Sequence, residues 1–224
     1  MKLPYIHNES ELQQLIEEIG FLPMFRSNIA GFSVEECTPR QYWFVDGVEG
    51  PWEWREKIAS AGNIAYAKLF DKKAGFVSKR WYPDLVNYRR DGYDFDARYE
   101  DGLASRKCKI LIDLLTEKGN MLSTDMKELG GFGKDGEKGF DSALTLLQMQ
   151  TYITVKCFEH KRDKSGREYG WGIGRYALSE AVFGADFVTS KYKSEPEESK
   201  KLIANHIAKL FPEASDSQIE KLIK

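Results

Sequence analysis

Near the start of the chain, apolar residues recur every three or four positions. The repeating residues are Leu12, Leu15, Ile16 and Ile19. This spacing predicts a short amphipathic helix, and Gly20 follows at a position typical of a helix end. Ser10 and Gln13 have the spacing of a capping box, so the helix is predicted to begin at Ser10.

A different pattern follows in the segment 64–70 (IAYAKLF), where the residues alternate as in a β-strand. Residues 71–75 are turn formers, and residues 76–78 return as the partner strand. We therefore predict a β-hairpin in the first half of the chain.

Aromatic residues are concentrated on both sides of Gly47 and Gly50, where the chain is predicted to form a loop. They are Tyr42, Trp43, Phe44, Trp52 and Trp54. Rings at this density can fill a core or line a pocket. Core packing is favoured over a ligand cage, because no neighbouring residue supplies an evident polar or charged group for specificity.

The second half of the chain has the pattern of three short helices followed by two strands. Helical spacing of apolar residues predicts helices over about 103–118, 123–129 and 140–149, and alternation predicts strands on both sides of the charged turn 161–167. This order of elements is typical of a winged helix.

The predicted fold class is α+β. A winged helix, made of three helices and a β-hairpin wing, is joined to an N-terminal mixed α/β region and to C-terminal helices. The polar stretch 91–102 marks the first boundary, so the predicted divisions are 1–101, 102–191 and 192–224.

The formal net charge of −2 excludes a globally basic nucleic-acid-binding protein. The charge is unevenly distributed, since residues 1–101 carry −4, residues 102–191 carry +2 and residues 192–224 are neutral. Any DNA binding is therefore expected to be local, modest and strongly dependent on salt.

Basic residues occur where a winged helix meets duplex DNA, before its third helix and at the tip of its wing. The predicted DNA-binding residues are Lys134, Lys138, Lys161, Arg162, Lys164 and Arg167. An exposed tip can reach phosphates without disturbing the core. Because hairpin tips are often charged in proteins that bind no DNA, an ordinary solvated turn remains the alternative.

An acidic group at positions 91–101 is a second candidate site. Asp94 and Asp96 are the candidate catalytic carboxylates, which could act as acid or base. The basic residues that could frame them as secondary phosphate anchors are Lys72, Lys73, Arg89 and Arg90. The favoured interpretation is simpler, namely a turn whose acidic residues cap a helix and pair with the arginines.

The three cysteines, Cys37, Cys108 and Cys157, are far apart and lack the spacing of a zinc site. We expect reduced thiols, and we predict neither a metal nor a cofactor. No run approaches the ~20 apolar residues of a membrane span, and no signal-peptide pattern is present at residues 1–8. These features predict a cytoplasmic protein without membrane contact.

Longer strings of the chain carry a resemblance to a known family. They are KILIDLLTEKGNMLSTDMKEL, FDSALTLLQMQTYITV, GPWEW, NYRRDGYDFDARYEDGLA and YGWGIGRYAL. Over about residues 15–190 the chain resembles the AlkZ/YcaQ superfamily, and more closely its shorter AlkZ-related branch. The resemblance implies kinship to DNA glycosylases that excise alkylated or cross-linked bases without a metal. Those enzymes use tandem winged helices and a Gln-x-Asp or Gln-x-Gln pair that activates water.

The chain departs from that superfamily at the catalytic pair. In the comparable segment, 20–25 (GFLPMF), Pro23 and Phe25 would occupy the catalytic positions. Neither side chain can accept a proton or orient a water molecule. A Gln-x-Gln does occur at 148–150, but it lies where the third helix passes into the wing strand, and we interpret it as a coincidence.

The sequence supports three hypotheses of function. The leading one is a winged-helix protein that binds duplex DNA and is related to the glycosylases without their catalytic pair. The second is a glycosylase for alkylated bases that uses Asp94 or Asp96 instead. The third is an interaction module, in which the aromatic segment 42–54 and the C-terminal helices bind a protein partner or a second copy of the chain.

Overall fold

The chain alternates between helices and short strands. A computed structural model describes residues 2–45 and 47–224. The helices are α1 (Glu9–Ile19), α2 (Val34–Cys37), α3 (Pro51–Ala61), α4 (Tyr82–Arg90), α5 (Phe95–Glu100), α6 (Arg106–Lys118), α7 (Ser123–Leu129), α8 (Phe140–Met149), α9 (Ser179–Phe183), α10 (Ala185–Val188), α11 (Pro196–Leu210) and α12 (Asp216–Ile223), with a 3-10 helix at Arg40–Tyr42. The strands are β1 (Phe21–Pro23), β2 (Ile64–Phe70), β3 (Lys73–Ser78), β4 (Asn120–Leu122), β5 (Ile153–Arg162) and β6 (Glu168–Leu178).

The first sheet is antiparallel and has the strand order β1-β3-β2. The predicted hairpin is confirmed as β2 and β3, but its turn is shorter than predicted. Asp71 and Lys72 form the turn with φ angles of 46° and 66°, the left-handed conformation that two-residue hairpin turns use. β1 pairs with the other side of β3, with Phe21 opposite Val77, and the sequence patterns did not predict this strand.

The second sheet is also antiparallel, with the strand order β4-β6-β5. Along the chain its strands and the neighbouring helices run α6, β4, α7, α8, β5 and β6. The three predicted helices and the two predicted strands are therefore confirmed, and β4 is an additional short strand. Beyond the part paired with β4, β5 and β6 continue as a two-stranded hairpin with a largely exposed tip.

Two clusters of buried apolar side chains form the core. The first combines side chains of α1 to α4 and the first sheet with Ile203 and Ile207 of α11 and with apolar residues of α12. The second combines α5 to α8 with β4 and the start of β5. The C-terminal helices thus pack on the N-terminal half of the chain. Among the described residues, no helix is both long and apolar enough to cross a lipid bilayer.

Several helix starts differ from the predictions. The side chain of Asn8, and not that of Ser10, caps α1 by accepting a hydrogen bond from Glu11 N at 2.9 Å. The stretch 91–102, predicted as a turn, contains the short helix α5, whose N-cap is Asp94. Asn and Asp cap helices as well as Ser does, so a polar run can hide a helix start.

Candidate functional site

An open cleft lies between the segment that precedes α3 and strand β6, and we call it the aromatic cleft. Its volume is about 530 Å³. Its walls carry four rings and two carboxylates, from Tyr42, Phe44, Trp52, Trp171, Glu49 and Glu53. Because Trp171 comes from a distant strand, the fold completes a cluster that is only partly visible in the sequence.

Trp52 lies at the centre of the ring cluster. Its ring centroid is 5.3 Å from that of Trp171 and 5.9 Å from that of Phe44, with the tilted and edge-to-face geometry that aromatic pairs prefer. The guanidinium of Arg55 lies 4.4 Å from the Trp52 ring and also 4.4 Å from the ring of Phe158. A cation shared by two rings therefore joins α3 to β5 beside the cleft.

The backbone fixes the shape of the cleft. A Cβ on Gly50 would lie 1.8 Å from the carbonyl oxygen of Tyr42, so glycine is required where the chain enters α3. Phe44 has a φ of 56°, which costs energy for a bulky residue, and its side chain is 71% exposed. Strain of this kind is concentrated at functional sites.

The cluster also contains polar groups without partners. Within the described chain, the indole N–H groups of Trp43 and Trp52 are buried and make no hydrogen bond. Leaving a buried donor unpaired costs about 1–3 kcal/mol. The core packing that the sequence favoured is confirmed for Trp54, which is buried in the first cluster, and for Tyr42, Trp43 and Trp52, which pack against that cluster, whereas Phe44 is exposed in the cleft.

A histidine and a glutamate connect the β5–β6 hairpin to α3 beside the cleft. His160 Nε2 and Glu56 Oε2 are 2.8 Å apart, and the hydrogen bond with Glu56 raises the pKa of His160 above its usual value. Gly172 allows this close approach, because a Cβ there would lie 2.6 Å from Glu56 Oε1. No sequence pattern predicted the pair, since its members are far apart along the chain.

The predicted DNA-binding residues of the hairpin all lie at its exposed end. They are Lys161, Arg162, Lys164 and Arg167. Arg162 forms an ion pair with Glu168 at 2.9 Å, and Arg167 forms one with Asp163 at 3.3 Å. The exposed tip therefore combines paired arginines with lysines that extend into solvent.

The other two predicted DNA-binding residues, Lys134 and Lys138, are exposed in the loop between α7 and α8. α8 itself packs against the first sheet. Gln148 Oε1 accepts a hydrogen bond from Lys68 N at 3.0 Å, and Thr145 Oγ1 accepts one from Lys68 Nζ at 3.2 Å. Gln148 is buried and has a structural role, in agreement with the interpretation of its Gln-x-Gln as a coincidence.

The proposed secondary anchors do not form one basic site. Lys72 and Lys73 are exposed, but the guanidinium groups of Arg89 and Arg90 are used inside the fold. Arg89 donates to backbone carbonyls, and Arg90, which is 1% exposed, pairs with Glu180. A role of Arg89 and Arg90 as phosphate anchors is not supported, because their donors are already occupied.

The candidate catalytic carboxylates have structural partners. Asp94 Oδ1 caps α5 by accepting a hydrogen bond from Ala97 N at 2.8 Å. Asp96 is 75% exposed and lies 3.6 Å from Lys109 Nζ. The expected capping role is confirmed, whereas the ion-pair partner is Lys109 and not an arginine of α4.

The segment 20–25, which is comparable in position to the glycosylases' catalytic pair but lacks it, contacts one ring of the aromatic cleft. Pro23 is buried in β1, and the Phe25 ring lies 5.8 Å from the Trp52 ring. The two positions thus carry apolar side chains that contact the first buried cluster and its ring neighbours.

Sequence patterns missed four residues of this region, namely Arg55, Glu56, His160 and Trp171. One signal was present for Trp171, because this large ring lies between two glycines, Gly170 and Gly172, in a strand pattern. Its partners had to come from elsewhere in the fold. Across residues 2–45 and 47–224, no group of three or more His, Cys, Asp or Glu side chains could hold a metal ion.

The fold and the site define a mixed α/β protein with two small antiparallel sheets, an aromatic cleft and an exposed basic hairpin. A protein family described as AlkZ related matches residues 6–224. The chain therefore belongs to the AlkZ-related family, and the resemblance found in the sequence is confirmed. Comparisons with curated proteins and with solved structures gave no match.

Proposed function

We propose that the chain is a winged-helix protein that binds duplex DNA weakly through residues 102–191 and has no glycosylase activity of the family type. Membership of the AlkZ-related family supports the relation to DNA. The order α6, β4, α7, α8, β5, β6 and the shared sheet of β4, β6 and β5 support the winged helix. In such a domain the β5–β6 hairpin is the wing, which contacts the sugar–phosphate backbone.

The main support for DNA binding is the positive charge of the wing that no acidic residue neutralises. Residues 156–175 contain six Lys or Arg and three Asp or Glu. Each acidic residue pairs with an arginine, in the pairs Glu168–Arg162, Asp163–Arg167 and Glu159–Arg175. In the described chain, no ion pair involves the remaining cations, which are Lys156, Lys161 and Lys164. These three lysines are available to neutralise phosphates.

We do not expect α8 to make specific contacts with the bases. The helix contains no Lys or Arg, and its exposed side carries Asp141, Ser142 and Leu146. A carboxylate on this surface is unfavourable near phosphates. Binding therefore rests on contacts of the wing and of Lys134 and Lys138 with the DNA backbone, and it is expected to depend little on base sequence.

Binding is tested by fluorescence anisotropy of a labelled duplex at several salt concentrations. Release of counterions from the phosphates contacted by the three wing lysines alone predicts that affinity falls about 40-fold between about 50 and 200 mM salt, and contacts of Lys134 and Lys138 would make the fall steeper. The wing variant Lys156→Gln/Lys161→Gln/Lys164→Gln is expected to lose most of the affinity and of the salt dependence. The matched control is Lys193→Gln/Lys201→Gln/Lys209→Gln, which removes the same charge from exposed lysines elsewhere.

The control is expected to bind like the unmodified protein. Absence of binding at low salt, or equal affinity of the two triple variants, would refute the role of the wing. The absence of glycosylase activity is tested separately with alkylated duplex DNA. Abasic sites that form with the unmodified protein and disappear in Asp94→Asn/Asp96→Asn would replace this proposal by the carboxylate-dependent glycosylase.

A further inference from the structure

We propose that the aromatic cleft binds an alkylated ammonium ion. This ligand is a cation, whereas DNA is an anion. Aromatic faces attract such cations through the ring quadrupole, and methyl groups on the cation add apolar contact. The cleft offers rings from Tyr42, Phe44, Trp52 and Trp171 together with carboxylates. The cleft shares no residue with the proposed DNA contacts, although Trp171 lies on the same β5–β6 hairpin.

The rings are open to a ligand. Phe44 and Trp171 are 71% and 65% exposed, and their centroids are 6.1 Å apart at an interplanar angle of 82°. Two large rings at nearly right angles can contact one cation from two sides. Val45 and Val48, which are 44% and 41% exposed, line the same cleft. Contiguous patches of exposed apolar side chains often mark binding sites.

The charge of the cleft selects a cation. Residues 42–53 contain Asp46, Glu49 and Glu53 but no Lys or Arg. Both described carboxylates, Glu49 and Glu53, line the cleft. Glu49 is paired with Lys57 at 2.6 Å, whereas one oxygen of Glu53 accepts a hydrogen bond from Gly50 N at 2.8 Å. The described lining residues include no Lys or Arg. Because Lys57 neutralises Glu49, the carboxylate without an ion-pair partner in the described chain is that of Glu53, and it favours an ammonium ion over a phosphate.

The cluster already holds a cation of its own. Arg55 lies 4.4 Å from the Trp52 ring, which shows that this ring is used for cation contact within the fold. The remaining contacts must come mainly from Phe44, Trp171 and Tyr42. Gly50 lets the backbone of Tyr42 lie directly against the start of α3, so the wall of the cleft formed by this segment exists before a ligand arrives.

The test compares choline with its uncharged isostere 3,3-dimethyl-1-butanol by isothermal titration calorimetry. Choline is expected to bind saturably and at least tenfold more tightly than the isostere. Equal affinity for the two would show an apolar pocket without cation selectivity and would overturn the proposal, as would the absence of saturable choline binding. A peptide with trimethyllysine and its unmethylated form then distinguish a protein-borne ammonium group from a free one.

Three variants locate the site. Trp171→Ala is expected to abolish choline binding, and Glu49→Gln/Glu53→Gln is expected to weaken it several-fold. Tyr5→Ala removes a ring that is 61% exposed outside the cleft and should have no effect. Circular dichroism checks that each variant is folded. Choline affinity that is unchanged in the double glutamine variant and in Trp171→Ala would place the ligand elsewhere and refute the assignment.

Discussion

Arg89 connects three separate parts of the fold, and its replacement tests how the structure is held together. Its guanidinium donates to the carbonyl oxygens of Leu69 at 2.5 Å, Met149 at 2.8 Å and Ile223 at 3.1 and 3.2 Å. These acceptors belong to β2, α8 and the end of α12. Positive charge at a helix C terminus is also favourable, because the last carbonyls carry partial negative charge.

Arg89→Met keeps a long apolar stem and removes every donor. Each of the three carbonyls that loses its partner costs about 1–3 kcal/mol if water cannot replace the arginine. Part of this cost is offset, since burial lowers the pKa of Arg89 to about 10 and the variant no longer has to desolvate a cation. We expect a net loss of about 3 kcal/mol, which is a large share of the about 5–15 kcal/mol that stabilises a typical domain.

Urea denaturation followed by tryptophan fluorescence measures the effect. With a slope of about 3 kcal/mol per molar urea, the midpoint is expected to fall by about 1 M. Arg80→Met is the control, because Arg80 is exposed just before α4 and should shift the midpoint little. Equal midpoints for the two variants would refute the view that Arg89 satisfies buried carbonyls.

Two further predictions concern the region of the aromatic cleft. Glu56 raises the pKa of His160, so the charged pair is expected to add stability below the unfolded histidine pKa of about 6.5 and to lose it as pH rises through the higher folded value. Melting temperatures between pH 5 and pH 9 should therefore depend less on pH in Glu56→Gln, and identical profiles would contradict the pairing. Gly50→Ala should lower stability by about 1–3 kcal/mol, since the new Cβ meets the Tyr42 carbonyl. Gly133→Ala, which has no atom within 4 Å of the added Cβ, is its control in thermal melts.

Elements with a strong local pattern could be predicted from the sequence. Apolar spacing located α8 at residues 140–149, and alternation on both sides of a charged turn located β5 and β6. β1 could not be predicted in this way, because three residues carry no period and the strand exists only by pairing with β3. Helix α3 was not predicted, because Trp52 and Trp54 suggested a loop flanked by aromatic rings. Pro51 was a signal for this helix, since proline is favoured at the first helical position.

Of the candidate site residues, the sequence predicted the position of those whose exposure follows from the local pattern alone. The lysines at the tip of the β5–β6 hairpin are exposed, as the charged turn 161–167 already implied. The roles of Arg89 and Arg90 depended on carbonyls and a carboxylate from distant segments, which no local pattern contains. The aromatic cleft is likewise completed by Trp171 from β6. The sequence therefore indicated the ring cluster of residues 42–54 but not the side of the cleft that Trp171 forms.

Two sides of α8 are used for packing within the fold. Phe140, Leu144 and Leu147 belong to the second cluster, while Thr145 and Gln148 bond to β2. A substitution on either of these two packed sides of the helix is therefore expected to lower stability, whereas the exposed positions Asp141, Ser142 and Leu146 are free of this constraint. The tip of the β5–β6 hairpin is exposed and contributes no side chain to either buried cluster, so substitutions there are expected to change the surface of the protein at little cost in stability.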